Sequence, residues 1–447
     1  MIVMKFGGTS VESAEAIRRV AGIVRARLDQ HPVVVVSAMG KTTNKLLAIA
    51  AAAVAAELNR ALALVAELRE FHLKEAPGLD TVIREHFAEL EALVGGLAVM
   101  GELTPRATDA ISALGERLSS LVVAEEFRRG GIDAAHVDSR SVVVTDRRHT
   151  QAAPLFGATN ERLRKAIPPL AAKQVVVLGG FIASTEDGVT STLGRGGSDY
   201  TASIVGAGIG AEEIQIWTDV DGMLTADPTI LPGGHRVKVC SFAEAAELAY
   251  FGAKVLHPAT VLPAIEKNIP VRILNSRRAE SPGTLIVKDP PASTSPIRSI
   301  ACKKNITLVN IVSTRMLMAH GFLRRIFEVF DRFETPVDML ATSEVSVSLT
   351  IDNTGALDAI RAELGTFADV TVQGNQSIVC LVGAHIGESR SVSARAFAAL
   401  NGIKTRMVSQ GASQLNLSMV VDAADLTHAV ELLHCEFFTE FDREAFE

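Results

Sequence analysis

From Met1 to about residue 290, short runs of β-branched residues alternate with stretches whose apolar positions return every three or four residues. That alternation predicts a mostly parallel sheet with helices on both faces. The clearest strand segments are Ile2–Phe6, Val33–Ser37, Val175–Phe181, Ile214–Thr218 and Val271–Leu274. Between the first two, Ile17, Val20, Ala21, Val24 and Leu28 share one helical face, and Thr9 with Glu12 has the spacing of a capping box at the helix start. A second capping box, Ser241 with Glu244, opens a helix expected over Phe242–Phe251 and ended by Gly252.

The segment Lys288–Arg298 is rich in proline and serine and lacks an apolar period, so it reads as a linker closing a first domain over residues 1–290. Beyond it, Val345, Val347, Leu349 and Ile351 alternate with polar residues as a half-buried strand, after a helix expected to bury Leu323, Ile326, Phe327 and Phe330. About 70 residues later the order recurs: strand Ile378–Val382, helix Val392–Leu400, a strand with Leu415, Leu417, Met419 and Val421, then a last helix. Two tandem ferredoxin-like βαββαβ units, over residues 300–372 and 376–447, fit this tail. The fold class expected is therefore α/β, a mostly parallel sheet flanked by helices followed by two small α+β units.

Composition narrows the function. The 447 residues are 48% hydrophobic and 21% charged, which excludes disorder and fibrous architecture. A net charge of −7 gives no field to attract polyanions, so nucleic acid is not an expected partner. Cys240, Cys302, Cys380 and Cys435 are widely separated, with neither zinc-ligand spacing nor a disulfide framework. The longest apolar run, Leu46–Ala56, is too short to span a bilayer, and the chain start has no basic segment before an apolar one. No membrane association is expected, and the expected location is the cytoplasm.

Candidate chemistry clusters at glycine-rich turns. Lys5-Phe6-Gly7-Gly8-Thr9-Ser10 places a lysine at a strand end, two glycines in the turn and a helix start directly after, a geometry suited to a phosphate. A tight turn with a solvated lysine is the alternative. Leu193-Gly194-Arg195-Gly196-Gly197-Ser198-Asp199 follows the same logic, with Ser198 as candidate helix cap, Arg195 suited to bidentate recognition of a carboxylate, and Asp187-Gly188 as a hairpin turn delivering the loop. A flexible surface loop is the plainer reading. Thr218 and Asp219 fall where the Ile214 strand ends, the edge at which open α/β sheets bind ligands, although an Asp-Gly turn explains the same residues. Glu116, taken alone, is a solvated helix glutamate, and His257 satisfies a local backbone group. Gly40-Lys41-Thr42 fails as a phosphate-binding P-loop because the required first glycine is Val35, and the Gly206–Gly210 run sits between a helix and a strand, the wrong order for a dinucleotide fingerprint. Neither a hydrolase triad nor a zinc motif is visible. The chemistry suggested is phosphate handling.

Taken together, Lys5–Val11, Ser37–Asn44, Leu193–Asp199, Trp217–Asp219, Phe251–Pro258 and Thr342–Ser346 resemble the motifs of aspartate kinases, a branch of the amino-acid kinase family that carries a C-terminal pair of ACT domains. The likeness spans essentially the whole chain and implies the monofunctional form, with no dehydrogenase domain. It implies ATP-dependent phosphorylation of the β-carboxylate of L-aspartate, the first step towards lysine, threonine and methionine. Substrates would be L-aspartate and ATP with Mg²⁺, most of whose ligands are phosphate oxygens and water in this family, and no protein metal ligand is named. A kinase of glutamate or acetylglutamate, or a non-catalytic ACT amino-acid sensor, is the competing reading.

By the same resemblance Lys5 contacts the phosphoryl oxygens, Gly7 and Gly8 supply backbone contacts, and Lys254 with Val255 lies at the ATP phosphates. Asp199 orients the lysines, and Ser198, Gly196 and Gly197 line the pocket. Arg195 clamps the α-carboxylate of aspartate, Glu116 meets its ammonium, and Thr43 helps to position it. Thr218, Asp219 and Leu224 face the nucleoside; Leu224 and Thr229 stand where one common version of the pattern has tyrosine and arginine. Met316, Gly321, Phe322, Leu323, Asp338, Ser343 and Glu344 resemble a lysine-sensing site, with threonine as the other effector considered. ACT domains pairing across subunits imply a homodimer.

Overall fold

The structure, a computed structural model, describes residues 1–252, 258–313, 320–384, 386, 387, 389, 391–411 and 415–447. Strand β1 (Ile2–Phe6) is followed by α1 (Ala14–Arg25), β2 (Val33–Val36) and a helical run of α2 (Thr42–Val54), α3 (Leu58–Glu75), α4 (Asp80–Met100), α5 (Pro105–Ser112) and α6 (Leu114–Arg129). Next come β3 (Ala134–Val137), β4 (Val144–Thr145), α7 (Phe156–Ala171), β5 (Val175–Gly179), β6 (Ile182–Thr185), β7 (Thr190–Thr192), α8 (Gly197–Ile209) and β8 (Glu213–Thr218). The chain continues through β9 (Val239–Ser241), α9 (Phe242–Tyr250), α10 (Leu262–Glu266), β10 (Val271–Asn275) and β11 (Thr284–Val287). The remainder is β12 (Ser299–Val312), α11 (Phe322–Arg332), β13 (Leu340–Thr342), β14 (Ser346–Ile351), α12 (Leu357–Leu364), β15 (Asp369–Val382), α13 (Val392–Ala399), β16 (Thr405–Ser409), β17 (Asn416–Asp422) and α14 (Leu426–Phe438). Among the described residues no helix is long and apolar enough to cross a membrane.

The described residues form two compact units, one from Met1–Met223 and Val255–Pro290, the other from Leu224–Lys254 and Pro291–Glu447. In the first, parallel strands run in the order β3-β5-β2-β1-β8-β10, and β11 pairs antiparallel with β10. The four consecutive valines of β2 are all buried, as a parallel strand covered on both faces requires. Because β2 and β8 flank β1 on opposite sides, their carboxyl ends open a crevice at the switch in strand order. Phe6 stacks on the buried Trp217 at 5.8 Å between ring centroids, joining β1 to β8 in the core beneath that crevice. A smaller sheet of β4, β6 and β7 carries the expected hairpin, with Gly188 at φ +82°.

The second unit contains one sheet in the order β13-β14-β12-β15-β17-β16. Two ferredoxin-like βαββαβ motifs share it. The later half of β12 with α11, β13, β14, α12 and the first half of β15 makes one. The later half of β15 with α13, β16, β17 and α14 makes the other, and its fourth strand is Ser299–Lys303, which pairs with Val382–Ile378. The motifs follow one another along the chain, yet the second closes with a strand that precedes the first.

Three local expectations need correction. Thr9 and Glu12 form no capping box: Gly8–Ser10 is a 3₁₀ turn, and Ser13 caps α1 by accepting from Ala16 N–H. Ser198 is not a cap: α8 begins at Gly197, and Gly196 at φ +71° is the N-cap. On α11 the buried face is Phe322, Ile326, Val329 and Phe330, whereas Leu323 and Phe327 are exposed, because the sheet behind the helix meets the stripe one position earlier.

Candidate active site

Lys5 sits one residue before the end of β1, between Met4 and Phe6, which are buried in the core. Its ammonium lies 2.7 Å from Asp199 Oδ1, with only 11% and 16% of the two side chains exposed. Asp199 occupies the first turn of α8, where free N–H groups and the helix dipole favour a negative charge. The pair lines a cleft of about 320 Å³ that also takes in Gly8, Ser37, Ala38, Gly40, Thr43, Glu116, Phe181, Gly194, Gly196, Gly197 and Ser198. Five segments distant in sequence therefore meet at the carboxyl ends of β1 and β2.

Backbone proximity defines one wall. A Cβ on Gly8 would lie 2.9 Å from the Ala38 carbonyl oxygen and 3.0 Å from that of Gly40, so only glycine lets the two turns close on each other. Gly40 N–H donates to the Gly8 carbonyl at 3.0 Å, fixing that approach. Gly196, in the left-handed region, turns the chain from β7 so that the N-terminus of α8 faces the cleft.

Glu116 departs most from its plain sequence reading. It is 4% exposed rather than solvated. Ala38 N–H donates to its Oε1 at 3.2 Å, while Oε2 is buried without a hydrogen-bond partner. Burial pushes its carboxyl up to about 8, against the opposing pull of the Ala38 N–H.

Of the other residues singled out in the sequence, Gly7 donates its N–H to the Trp217 carbonyl at 3.2 Å and ties the ends of β1 and β8 together. Thr218 and Asp219 stand at that same end of β8, joined by a 3.2 Å hydrogen bond. Arg195 is exposed on the loop between β7 and α8 and is not among the cleft-lining residues. Leu224 belongs to the second unit, where its carbonyl accepts from Ser299 Oγ at 2.7 Å. Lys254, Val255, His257 and Met316 lie outside the described residues.

In the second unit Gly321 is the N-cap of α11 at φ +78°. Phe322 is buried, and Leu323 and Glu344 are exposed. Ser343 Oγ lies 2.7 Å from Ser346 Oγ across the turn into β14. The Asp338 carboxylate is already engaged: Lys303 Nζ bridges it at 2.5 Å and Asp352 at 2.8 Å. Burial raises the Asp338 carboxyl above its ordinary range despite that partner.

Sequence reasoning placed Ser37, Ala38, Gly40 and Gly194 within motifs but gave them no role of their own, and it did not single out Phe181. The signal for Phe181 was the Gly179-Gly180 pair after a strand. It adopts φ +66°, costly for a bulky side chain, and is held by its N–H donating to Thr201 Oγ1 at 2.9 Å and its carbonyl accepting from Leu193 N–H at 3.0 Å.

An open parallel sheet with a lysine, glycine turns and a helix N-terminus converging at its switch point is a phosphate-handling α/β site. Comparison with known proteins narrows this class. Residues 1–275 match the model of the amino acid kinase family, and residues 309–362 and 379–437 match an ACT domain. Aspartokinase 3, chloroplastic, of Arabidopsis thaliana is 40% identical over 98% of this chain and 81% of its own. The crystal structure of E. coli aspartokinase III with aspartate and ADP superposes with a TM-score of 0.83 at 33% identity, covering 98% of this chain and 100% of that one. The same enzyme with lysine and aspartate gives 0.84 at 34% identity, covering 98% and 99%. The chain belongs to the amino acid kinase family, within its aspartokinase branch.

Proposed function

We propose that the chain transfers the γ-phosphoryl group of ATP to the β-carboxylate of L-aspartate, forming 4-phospho-L-aspartate and ADP. The observation that carries this reading is the placement, in one cleft, of the Lys5–Asp199 pair and of Glu116 with its unpartnered buried oxygen. A carboxylate nucleophile is already ionised at neutral pH, so the reaction needs no general base. What it needs is two anions brought together and charge on the moving group stabilised.

Lys5 supplies that positive charge and Asp199 holds it in place. The backbone at Gly7, Gly8, Gly196 and Gly197 approaches the phosphates, with Lys254 as a further cation. Glu116 takes the ammonium of aspartate, Arg195 its α-carboxylate, and Thr43 and Ser198 its remaining polar edge. Thr218, Asp219 and Leu224 lie on the nucleoside side. Mg²⁺ would be carried mostly on phosphate oxygens and water and would offset their charge.

The E. coli relative is crystallised with lysine, which supports lysine as feedback effector; the site proposed for it in the ACT unit is made by Asp338, Ser343, Glu344 and the start of α11. The proposed assembly is a homodimer through the ACT domains, located in the cytoplasm and serving lysine, threonine and methionine biosynthesis.

A coupled assay for ADP with L-aspartate tests the reading, repeated with glutamate and acetylglutamate as acceptors and with lysine or threonine added. ADP release with aspartate alone is expected, with a rate that falls as lysine is added. Lys5→Met should reduce kcat by about 10³-fold or more with an unchanged melting temperature. Wild-type turnover in that variant would exclude the role of Lys5.

A further inference from the structure

A second polar centre lies outside the cleft lining and ties its walls together. Asp109, on α5, is fully buried, with no lysine or arginine paired to it among the described residues. Its carboxylate accepts from Thr192 Oγ1 at 2.6 Å, from His149 Nδ1 at 2.8 Å and from Thr150 N–H at 3.0 Å to each oxygen. A buried carboxylate on α5 satisfied by donors from two other stretches, 149–150 and Thr192, makes the relative position of all three costly to change, because any shift strands a polar group.

These stretches lead directly to the cleft. Thr192 ends β7, and the next residues carry Gly194, Arg195 and Gly196 into the turn that starts α8. Thr150, at φ +72°, places its carbonyl oxygen 3.2 Å from where a Gly194 Cβ would stand, so the 149–151 turn backs that loop. On the other side, the Asp109 carbonyl accepts from Ala113 N–H at 3.0 Å, at the junction where α5 passes into α6 and its Glu116.

We propose that Asp109 is a positioning residue that sets the separation between the Arg195 loop and Glu116, and so sets affinity for the amino-acid substrate. This role rests on the proposed function, in which Arg195 and Glu116 grip opposite ends of one small amino acid. Asp109 touches neither substrate nor phosphate. Its effect should fall on recognition of the acceptor and spare the phosphoryl-transfer machinery of Lys5.

The test is steady-state kinetics on the full chain, varying L-aspartate and ATP separately. Asp109→Asn replaces one accepting oxygen by an NH₂ group that must face a donor. It should raise KM for aspartate about tenfold, while kcat and KM for ATP stay within about threefold. Thr192→Val removes one donor at constant shape and should shift the aspartate KM in the same direction by a smaller factor; Thr192→Ser, which keeps the hydroxyl, should restore it. Thermal melts identify folded protein, and if Asp109→Asn does not fold, the Thr192 pair decides. An aspartate KM at the wild-type value in folded variants, or equal losses in kcat and both KM values, overturns the proposal. A wild-type chain that releases no ADP with aspartate instead overturns the activity on which it rests.

Discussion

At the scale of single residues, Glu116 shows how burial converts an ordinary side chain into a binding group. In sequence it sits in a helix with nothing to distinguish it from a solvated glutamate. Gly115 decides otherwise: a Cβ there would come within 2.9 Å of Ala38 Cβ, so glycine lets α6 pack against the turn after β2 and carries Glu116 into the cleft. With its carboxyl pushed up to about 8, Glu116 is protonated in the free protein at pH 7, and pairing with an ammonium requires the carboxylate. Binding of L-aspartate at pH 7 should therefore release about one proton, fading to none above pH 9. Calorimetry in two buffers of different ionisation enthalpy measures it, and Glu116→Gln should abolish the release. The sign for stability follows from the same shift. The folded state holds the proton that the unfolded chain loses near 4.5, so this group lowers stability as pH rises from 4.5 through 8, with no further loss above. Glu116→Gln should flatten that part of the pH–stability curve.

At the scale of elements, the two capping boxes written in the sequence had opposite outcomes. Ser241 and Glu244 form theirs in full: Glu244 Oε2 accepts from Ser241 N–H at 2.7 Å, and Ser241 Oγ accepts from Glu244 N–H at 3.1 Å. Thr9 and Glu12 do not, because the glycine turn after β1 tightens into a 3₁₀ turn that serves the cleft, and the helix starts later. Glu244 is also more than a cap. Its side chain is fully buried, and Arg298 Nε, just ahead of β12, reaches Oε1 at 3.3 Å. Ser241→Ala should cost about 1 kcal/mol, the usual worth of a cap. Glu244→Ala should cost about 3–5 kcal/mol, because it also leaves a buried guanidinium without its carboxylate. Urea unfolding of both variants provides the comparison, and equal losses would mean that the Arg298 pair adds nothing.

For the molecule as a whole, the interleaved ACT unit predicts a failure that a simple tandem would escape. A chain ended at Asn375 keeps every residue of the first ACT motif but removes Ile378–Val382, the partner of Ser299–Lys303, and exposes Ile300 and Ala301. It also removes Ala445–Glu447, whose backbone pairs with Arg236 and Lys238. Such a chain should lose cooperative melting in calorimetry and aggregate on gel filtration, while independent folding of the remaining motif would contradict the interleaving. Sequence alone determined what depends on near neighbours: the parallel strands through their valine runs, the helices through apolar spacing, the glycine turns through the backbone freedom they provide, and through those motifs the family. Tertiary structure alone decided what depends on the packing of remote segments. It buried Glu116, joined Lys5 to Asp199 across 194 positions of chain, gave Asp109 its donors and lent a strand from before the first ACT motif to the second. The division has a physical cause. Propensity and periodicity act over a few bonds, whereas desolvation, ion pairing and strand partnership are set by whatever the fold brings within a few ångströms, which no local pattern encodes.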